Sequence, residues 1–400
     1  MLGEWVKRVL QYSLLAGLCL PVQANTTAPE AKESTVPAAV LAQSAVVTSP
    51  VDLGTTQRLT SIALLLPVRS ETLREASEVL RAGFQAAYER EHDGVTVNIV
   101  ETGDTPQDIL SGYKSASALN DIVVGPLSRT GVTAVAQNGA VTKPTIALTT
   151  PDHPDGLEAR LPPHMLVMGL SIEDEARQVA DWAGQDAAPG KAIVLFTATA
   201  WQRRAAKAFD TQWRHQGFET ESVELPAIDG FLNGKVLLQL KKQVESDKPS
   251  LLFLALDARQ ARQVRAVMNK NNVALYGTSQ LNPFALSDRS GADRAEEMDG
   301  TRLLDIPWQL QADHPAVMVY PRLVVNADQK RNPDLERLYA LGIDAYRVAR
   351  EISMQHTRFE MDGVTGKLTV NFDNTSAHFE RAVQQAVYRD GLVMTIGEAR

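Results

Sequence analysis

Residues 58–100 read RLTSIALLLPVRSETLREASEVLRAGFQAAYEREHDGVTVNIV, and this stretch decides the fold class. Thr60 to Leu66 is a short apolar run with β-branched members, stopped by Pro67, which reads as a buried strand. Over 71–91, Leu73, Ala76, Leu80, Phe84 and Tyr88 recur at three- and four-residue spacings and form one face of a helix. Val95 to Val100 is a second strand. The pattern then repeats outward: Thr105-Pro106 opens a helix running to Leu119, with Pro in the first turn where no hydrogen bond is lost. Asp121–Val124 is a strand, Gly125–Ser128 a turn, 129–140 a helix, and Pro144–Leu148 a strand. Strands alternating with helices at this spacing predict a parallel sheet covered on both faces.

The alternation restarts after an amphipathic stretch at 172–186. Strands are expected at Ala192–Phe196, Glu219–Leu225, Ser250–Leu256 and Val273–Gly277, and helices at 201–216, 230–246 and 258–270. A later helix at 332–353 is expected to pack back on the first half. The expected organisation is a signal peptide at 1–24, a flexible tether at 25–58, the first part of lobe 1 at 59–168 and lobe 2 at 169–305. Residues 306–400 are expected to hold an inter-lobe crossover, a return to lobe 1 and a C-terminal segment.

The leader is read from Lys7 and Arg8, the mostly apolar run Val9–Leu20, and the small residues of Val22-Gln23-Ala24, which place cleavage after Ala24 and export to the periplasm. No later run reaches about 18 consecutive apolar residues, so no transmembrane span is expected in the mature chain. Removing Glu4, Lys7 and Arg8 with the leader takes the net charge from −8 to −9. An acidic chain with no basic stripe excludes nucleic acid as a partner. The one cysteine, Cys19, lies in the leader behind the bulky Leu18, which argues against its lipidation; if it leaves, the mature chain has no thiol, hence no disulfide or cysteine-ligated metal. Thr, Ala, Pro, Ser and Val dominate 25–57, as in a tether.

Five stretches carry a family resemblance: Ile62–Pro67 (IALLLP), Val124–Leu127 (VGPL), Ser171–Gln178 (SIEDEARQ), Tyr339–Arg347 (YALGIDAYR) and Asp362–Leu368 (DGVTGKL). In that order, over about 60–370, the chain resembles the penicillin-binding protein activator family, the C-terminal module of lipoproteins that stimulate bifunctional peptidoglycan synthases. The first two stretches also suit branched-chain amino-acid receptors; the two last are more specific. The resemblance implies an α/β, two-lobed type I periplasmic binding-protein fold, each lobe a mainly parallel sheet flanked by helices. It implies a class A penicillin-binding protein as partner and regulation rather than catalysis. The family's long members carry an N-terminal helical-repeat domain and a lipid anchor, where this chain has a tether.

In such a fold, ligands sit at the carboxyl ends of strands, where free N–H groups of helix N-termini favour a carboxylate. The candidate cleft residues are Ser128, Thr149 and Thr150 for a ligand carboxylate, Asp257 for an amine and Trp201 to cover a side chain, as in amino-acid receptors. Each has a plainer reading. Ser128 and Asp257 serve equally as helix caps, Thr149 and Thr150 satisfy backbone groups before Pro151, and Trp201 packs. A solute receptor for an amino acid or small peptide is therefore the alternative function, and a ligand-sensing activator combines the two. No catalytic motif appears: there is no Gly-x-Ser-x-Gly elbow, His-Glu-x-x-His helix or phosphate loop, and no cofactor is expected. Asp152, His153, Asp155 and His164 read as a solvated turn rather than a metal site. Glu173, Asp174 and Glu175 read as first-turn acids complementing a helix dipole. Asp362–Gly366 reads as turn chemistry in the hinge region.

Overall fold

The strand that opens the reading, β1 (Thr60–Leu66), pairs in parallel with β2 (Val95–Glu101) on one side and β3 (Ile122–Val124) on the other. The computed structural model describes residues 59–152, 161–186, 190–268, 273–284, 294–324, 331–373 and 376–397. The signal peptide, all of the tether up to 58, and His153 and Asp155 lie outside these described residues. The strands β4 (Thr145–Ala147) and β5 (Met165–Val167) complete a five-stranded parallel sheet ordered β2-β1-β3-β4-β5. Side chains alternate across it. Ile62, Leu64 and Leu66 enter one apolar core, and Ala63 and Leu65 enter the core on the other face. The helix α1 (Arg74–Arg90) covers the first face, and α2 (Pro106–Leu119) and α3 (Arg129–Gln137) cover the second.

The second lobe is built the same way. Its helices are α4 (Ile172–Asp186), α5 (Ala200–His215), α6 (Gly234–Asp247) and α7 (Ala258–Met268). Its parallel strands are β6 (Ala192–Phe196), β7 (Thr220–Glu224), β10 (Leu251–Leu254), β11 (Ala274–Gly277) and β12 (Arg302–Asp305). A small hairpin, β8 (Ala227–Ile228) and β9 (Phe231–Leu232), precedes α6. It occupies the front of the stretch expected to be helical from 230. Asp229 and Gly230, both at positive φ, turn the chain there, and Asn233 then caps a helix that starts only at Gly234.

After β12 come the short helices α8 (Pro307–Leu310) and α9 (Pro315–Met318), and then α10 (Pro333–Ser353). The last helix packs on α1 so closely that each carries a glycine at the crossing. A methyl at Gly83 would overlap the Tyr339 carbonyl, and one at Gly342 the Leu80 carbonyl. An antiparallel sheet of β13 (Arg358–Gly363), β14 (Gly366–Phe372) and β15 (Ala377–Ala382) lends Leu368, Val370 and Phe372 to the lobe 1 core. The chain then crosses once more. The strands β16 (Gln384–Arg389) and β17 (Leu392–Thr395) run antiparallel beside β12 and complete a sheet ordered β17-β16-β12-β11-β10-β6-β7.

The chain thus passes between the lobes three times, after β5, after β12 and after β15. None of the described helices is long and apolar enough to cross a membrane.

Candidate functional site

The two most specific sequence stretches meet in space. Asp344, fully buried in α10, accepts hydrogen bonds from the Val364 and Thr365 amides at 3.1 and 2.8 Å and from the Thr365 hydroxyl at 2.6 Å. Arg347 pairs with the same carboxylate at 3.1 Å. The turn that Asp344 holds is the Asp-Gly-Val-Thr-Gly sequence, and Gly366 in it has φ +135°, which a side chain would strain. The turn is fastened to the crossings as well. Its Val364 carbonyl accepts from Trp308 N at 3.0 Å, just past the second crossing. Its Thr365 hydroxyl accepts from Arg381 Nε at 3.1 Å, just before the third.

Arg381 reaches further, donating to the Met168 and Gly169 carbonyls of the first crossing, both at 2.7 Å. Burial pushes its pKa down to about 10, against the opposing charges of Asp344, Asp174 and Glu175, so it stays a cation at neutral pH. Gln178 of α4 pairs its amide with the backbone of β15's end, donating to Arg381 O at 2.9 Å and accepting from Val383 N at 3.1 Å. The second crossing has its own buried cluster. Arg337 of α10 grips both oxygens of Asp305, at 3.0 and 2.7 Å, and the Ser279 carbonyl at 3.0 Å. Asn282 donates to Asp305 at 2.8 Å.

The three acids at the start of α4 have three different fates. Asp174 is exposed, its amide bonded to the capping Ser171 hydroxyl at 3.1 Å. Glu175 is 7% exposed and accepts from Ser279 N at 2.9 Å. Burial first, and then the nearby Asp305, push its pKa up to about 7 against the Ser279 hydrogen bonds and the Arg337 charge. Glu173 bridges the lobes. Its Oε1 accepts from Arg129, the first residue of α3 in lobe 1, at 2.9 Å and from Arg204 of α5 in lobe 2 at 2.7 Å. Burial raises its pKa, but the Arg129 charge, its own backbone N–H and the Arg204 hydrogen bond together outweigh this and hold it below the usual carboxylate value. The dipole explanation accounts for where these acids sit; it misses what Glu173 and Glu175 hold.

The structure places the five sequence-derived cleft residues in separate local settings. Ser128 caps α3, accepting from Gly131 N at 3.2 Å. Asp257 forms a reciprocal cap with Gln260: Gln260 N donates to Asp257 Oδ1 at 2.8 Å, and Asp257 N to Gln260 Oε1 at 3.3 Å. Trp201 is half-buried at the start of α5, and Thr149 is half-buried beside Gly169. A groove of about 600 Å³ lies between α4 and the faces of β14 and β15. Thr150 lines it, with Arg177, Gln178, Lys367, Phe379 and Arg381; Ser128, Thr149, Trp201 and Asp257 do not. Among the described residues no group of three metal-ligating side chains is gathered. In the sequence Glu173 shows only as a first-turn acid; its partners, 44 residues before and 31 after, gave no local signal of the bridge.

Known proteins resemble this arrangement over most of its length. The penicillin-binding protein activator LpoA of Histophilus somni strain 129Pt is 23% identical over 346 residues, which are 85% of this chain and 55% of that protein. The chain spans about half the length of the curated relatives it matches. A solved structure from Chromobacterium violaceum, described as "a putative branched-chain amino acid ABC transporter", is 32% identical with a TM-score of 0.64, covering 82% of this chain and all of that one. The "LpoA (YraM) C-domain from Haemophilus influenzae, a regulator of PBP1A" superposes with a TM-score of 0.65 at 20% identity, covering 84% of this chain and all of that domain. The two lobes are accordingly of the type I periplasmic binding-protein kind. The family model described as "LppC putative lipoprotein" matches residues 29–391, and the chain belongs to the LppC family.

Proposed function

We propose that this chain is a periplasmic, non-catalytic regulator that binds a class A penicillin-binding protein and raises its peptidoglycan synthesis. Its relatives are named as activators of a penicillin-binding protein, and the Haemophilus domain as a regulator of PBP1A. The observation that carries the reading is Glu173. At the strand-end cleft where open α/β folds take their ligands, a carboxylate of the chain itself already joins the lobes through Arg129 and Arg204. A solute's anionic group is not needed there for closure.

The test is glycan polymerisation and cross-linking by the host's bifunctional synthase, with and without the purified mature chain. A rate increase is expected. No change with an active synthase overturns the reading. Export is part of the proposal, and the family's description as lipoproteins sets Cys19 against cleavage after Ala24. The mass of the protein recovered from cells separates a lipidated chain starting at Cys19 from one starting at Asn25.

The likeness to the Chromobacterium protein and the groove containing Thr150 favour a second reading, a receptor for an amino acid or small peptide. That reading requires a thermal shift of RT ln(1 + [L]/Kd), about 2.7 kcal/mol at a hundredfold excess over Kd. A screen of amino acids and short muropeptides with no shift removes it.

A further inference from the structure

The strand β2 ends the lobe 1 sheet, and no described strand pairs with its outer side. It reads VTVNIVE from Val95 to Glu101 and keeps an unbroken register with β1. Thr60 N donates to Gly94 O and Thr102 N to Leu66 O, both at 2.9 Å, so the backbone groups of the even-numbered residues face β1. Those of Val97, Ile99 and Glu101 therefore face outwards, as does the Val95 carbonyl; the Val95 amide turns back to His92 O at 3.1 Å. Folded proteins shield such an edge with charges, proline, a bulge or short length. The other free edges here are shielded. In β7, Glu221 and Glu224 pair with Lys191 at 2.5 Å and Arg203 at 3.1 Å. The strand β17 has four residues and β5 three, β13 exposes Arg358, Glu360 and Asp362, and β15 exposes His378 and Glu380. Before its last residue β2 has no charge, and it has no proline; Ile99 on it is 40% exposed.

The order of residues in the strand selects what pairs with it. About Asn98 the strand is close to a palindrome, with β-branched Thr96 and Val97 on one arm and Ile99 and Val100 on the other. An antiparallel second copy, related by a two-fold axis through Asn98, matches the whole strand to itself. Val97 then exchanges both backbone bonds with Ile99 of the second copy, and the two side chains meet on the face that α1 covers. Thr96 meets Val100 on the other face. Asn98 meets its own mate at the axis. Its Nδ2 donates to Asn120 Oδ1 at 2.7 Å, which leaves its Oδ1 and second N–H for that mate. The polar pair fixes the register, since a slip sets each Asn98 against Val100 or Thr96. The charges at the ends are Asp93, Glu101 and Arg81. Glu101, 3.9 Å from Arg81, falls opposite Val95 of the second copy, and Asp93 in the turn before β2 lies on the diagonal. That diagonal is a like-charge approach, with Arg81 beside it to offset it. A strand of unrelated sequence would draw nothing from the central Asn98 or the matched arms. We propose that β2 is a dimer edge, through which two copies of this chain join antiparallel about Asn98 and fuse their lobe 1 sheets into one.

The experiment is sedimentation velocity on the purified chain from Asn25 onward, which carries no cysteine, between ~1 and ~100 µM. The mass is expected to rise from one copy to two across that range. Added salt is expected to strengthen the association by screening Asp93 from Glu101. Ile99→Pro removes only an outward-facing N–H, which an edge strand tolerates, and Ile99→Lys sets two cations diagonally across the axis. Each is expected to weaken association at least tenfold, with Leu238→Lys, an exposed change on lobe 2, within twofold of the unaltered chain. The register has its own readout. Asn98→Cys is expected to oxidise to a covalent dimer, and Glu101→Cys, far from its own mate in this pairing, to stay single. Should Ile99→Pro fail to fold, Ile99→Lys and the cross-links decide. A chain that stays single throughout overturns the proposal. So does a dimer that survives Ile99→Lys within twofold, or one that cross-links through Glu101→Cys and not through Asn98→Cys.

Discussion

Glu173 holds the lobes by a bond whose size and direction can be worked out. Its two arginines bind one oxygen, but only Arg129 belongs to the other lobe. Fully dehydrated, a charge-assisted hydrogen bond nets about 1.5–3 kcal/mol. Here the Arg129 side chain is 27% exposed and Glu173 17%, which moves the value towards the surface-pair scale of about 0.2–1 kcal/mol. Taking about 1 kcal/mol, loss of the bond shifts the closed-to-open ratio about fivefold. Glu173→Gln and Arg129→Ala should each produce that shift, and Arg204→Ala, which breaks a bond inside lobe 2, should change the ratio less than twofold. Cys19 is the only cysteine, so with Cys19→Ser, spin labels on Leu119→Cys and Leu238→Cys report the lobe separation without competing thiols. Unchanged distance distributions in Glu173→Gln and Arg129→Ala refute the clamp. An equal opening in Arg204→Ala refutes the assignment of the inter-lobe bond. Because the Glu173 pKa is held low, the clamp is expected to persist through neutral pH and to fail only as the pH falls below the ordinary carboxylate range.

Glu175 carries the opposite sign. Its pKa of about 7 lies above the unfolded value of 4.5, so its contribution is full below 4.5 and is lost as the pH rises towards 7. Glu175→Gln, which keeps an acceptor for Ser279 N, should flatten stability between pH 5 and 8 and raise it at pH 8 by up to about 3 kcal/mol; melts that stay parallel to the unaltered chain across that range count against this. Asp344→Ala strands three donors and Arg347, and chemical denaturation should show a loss of about 3–5 kcal/mol. Gly83→Ala or Gly342→Ala must splay the α1–α10 crossing, at a cost of about 2–3 kcal/mol by the same measurement; a loss under 0.5 kcal/mol would mean the crossing yields freely.

The sequence made the repeating strand–helix order legible because parallel strands buried on both faces leave unbroken apolar runs such as Ile62–Leu66 and Leu251–Leu254. The strands β13 and β15 went unrecognised, although Arg358-Phe-Glu-Met-Asp and Ala377-His-Phe-Glu-Arg alternate and half-bury every second side chain against lobe 1, the period of a strand. The strand β5 comes directly after the proline-rich turn ending at Pro163 and went unrecognised, and the Asp229-Gly230 turn was available as a hairpin signal but sits at the boundary of the stretch expected to be helical from 230. At the candidate site, caps were legible and clamps were not. Ser128 and Asp257 bond to residues three positions on, within reach of local reading. Apart from Arg347 beside Asp344, the clamping partners of Glu173, Glu175, Asp344 and Arg381 lie from 16 to 213 residues away, beyond the reach of local reading.

That placement also separates two demands on the fold. A receptor must open to admit solute, and each hinge bond formed only in the closed state raises the cost of opening. The described hinge is fastened at every crossing: Arg381 to the Met168 and Gly169 carbonyls, Gln178 to the backbone of Arg381 and Val383, and Arg337 to Asp305 and Ser279. The Asp344-held turn links the second and third crossings through Val364 and Thr365. A regulator that acts by docking benefits from the same bonds, because a fixed angle between the lobes preorganises its outer surface and lowers the ordering cost of binding. The hinge and the cleft clamp therefore bear on function together. If the lobes stay closed without a solute, recognition has to fall on the outside of the molecule.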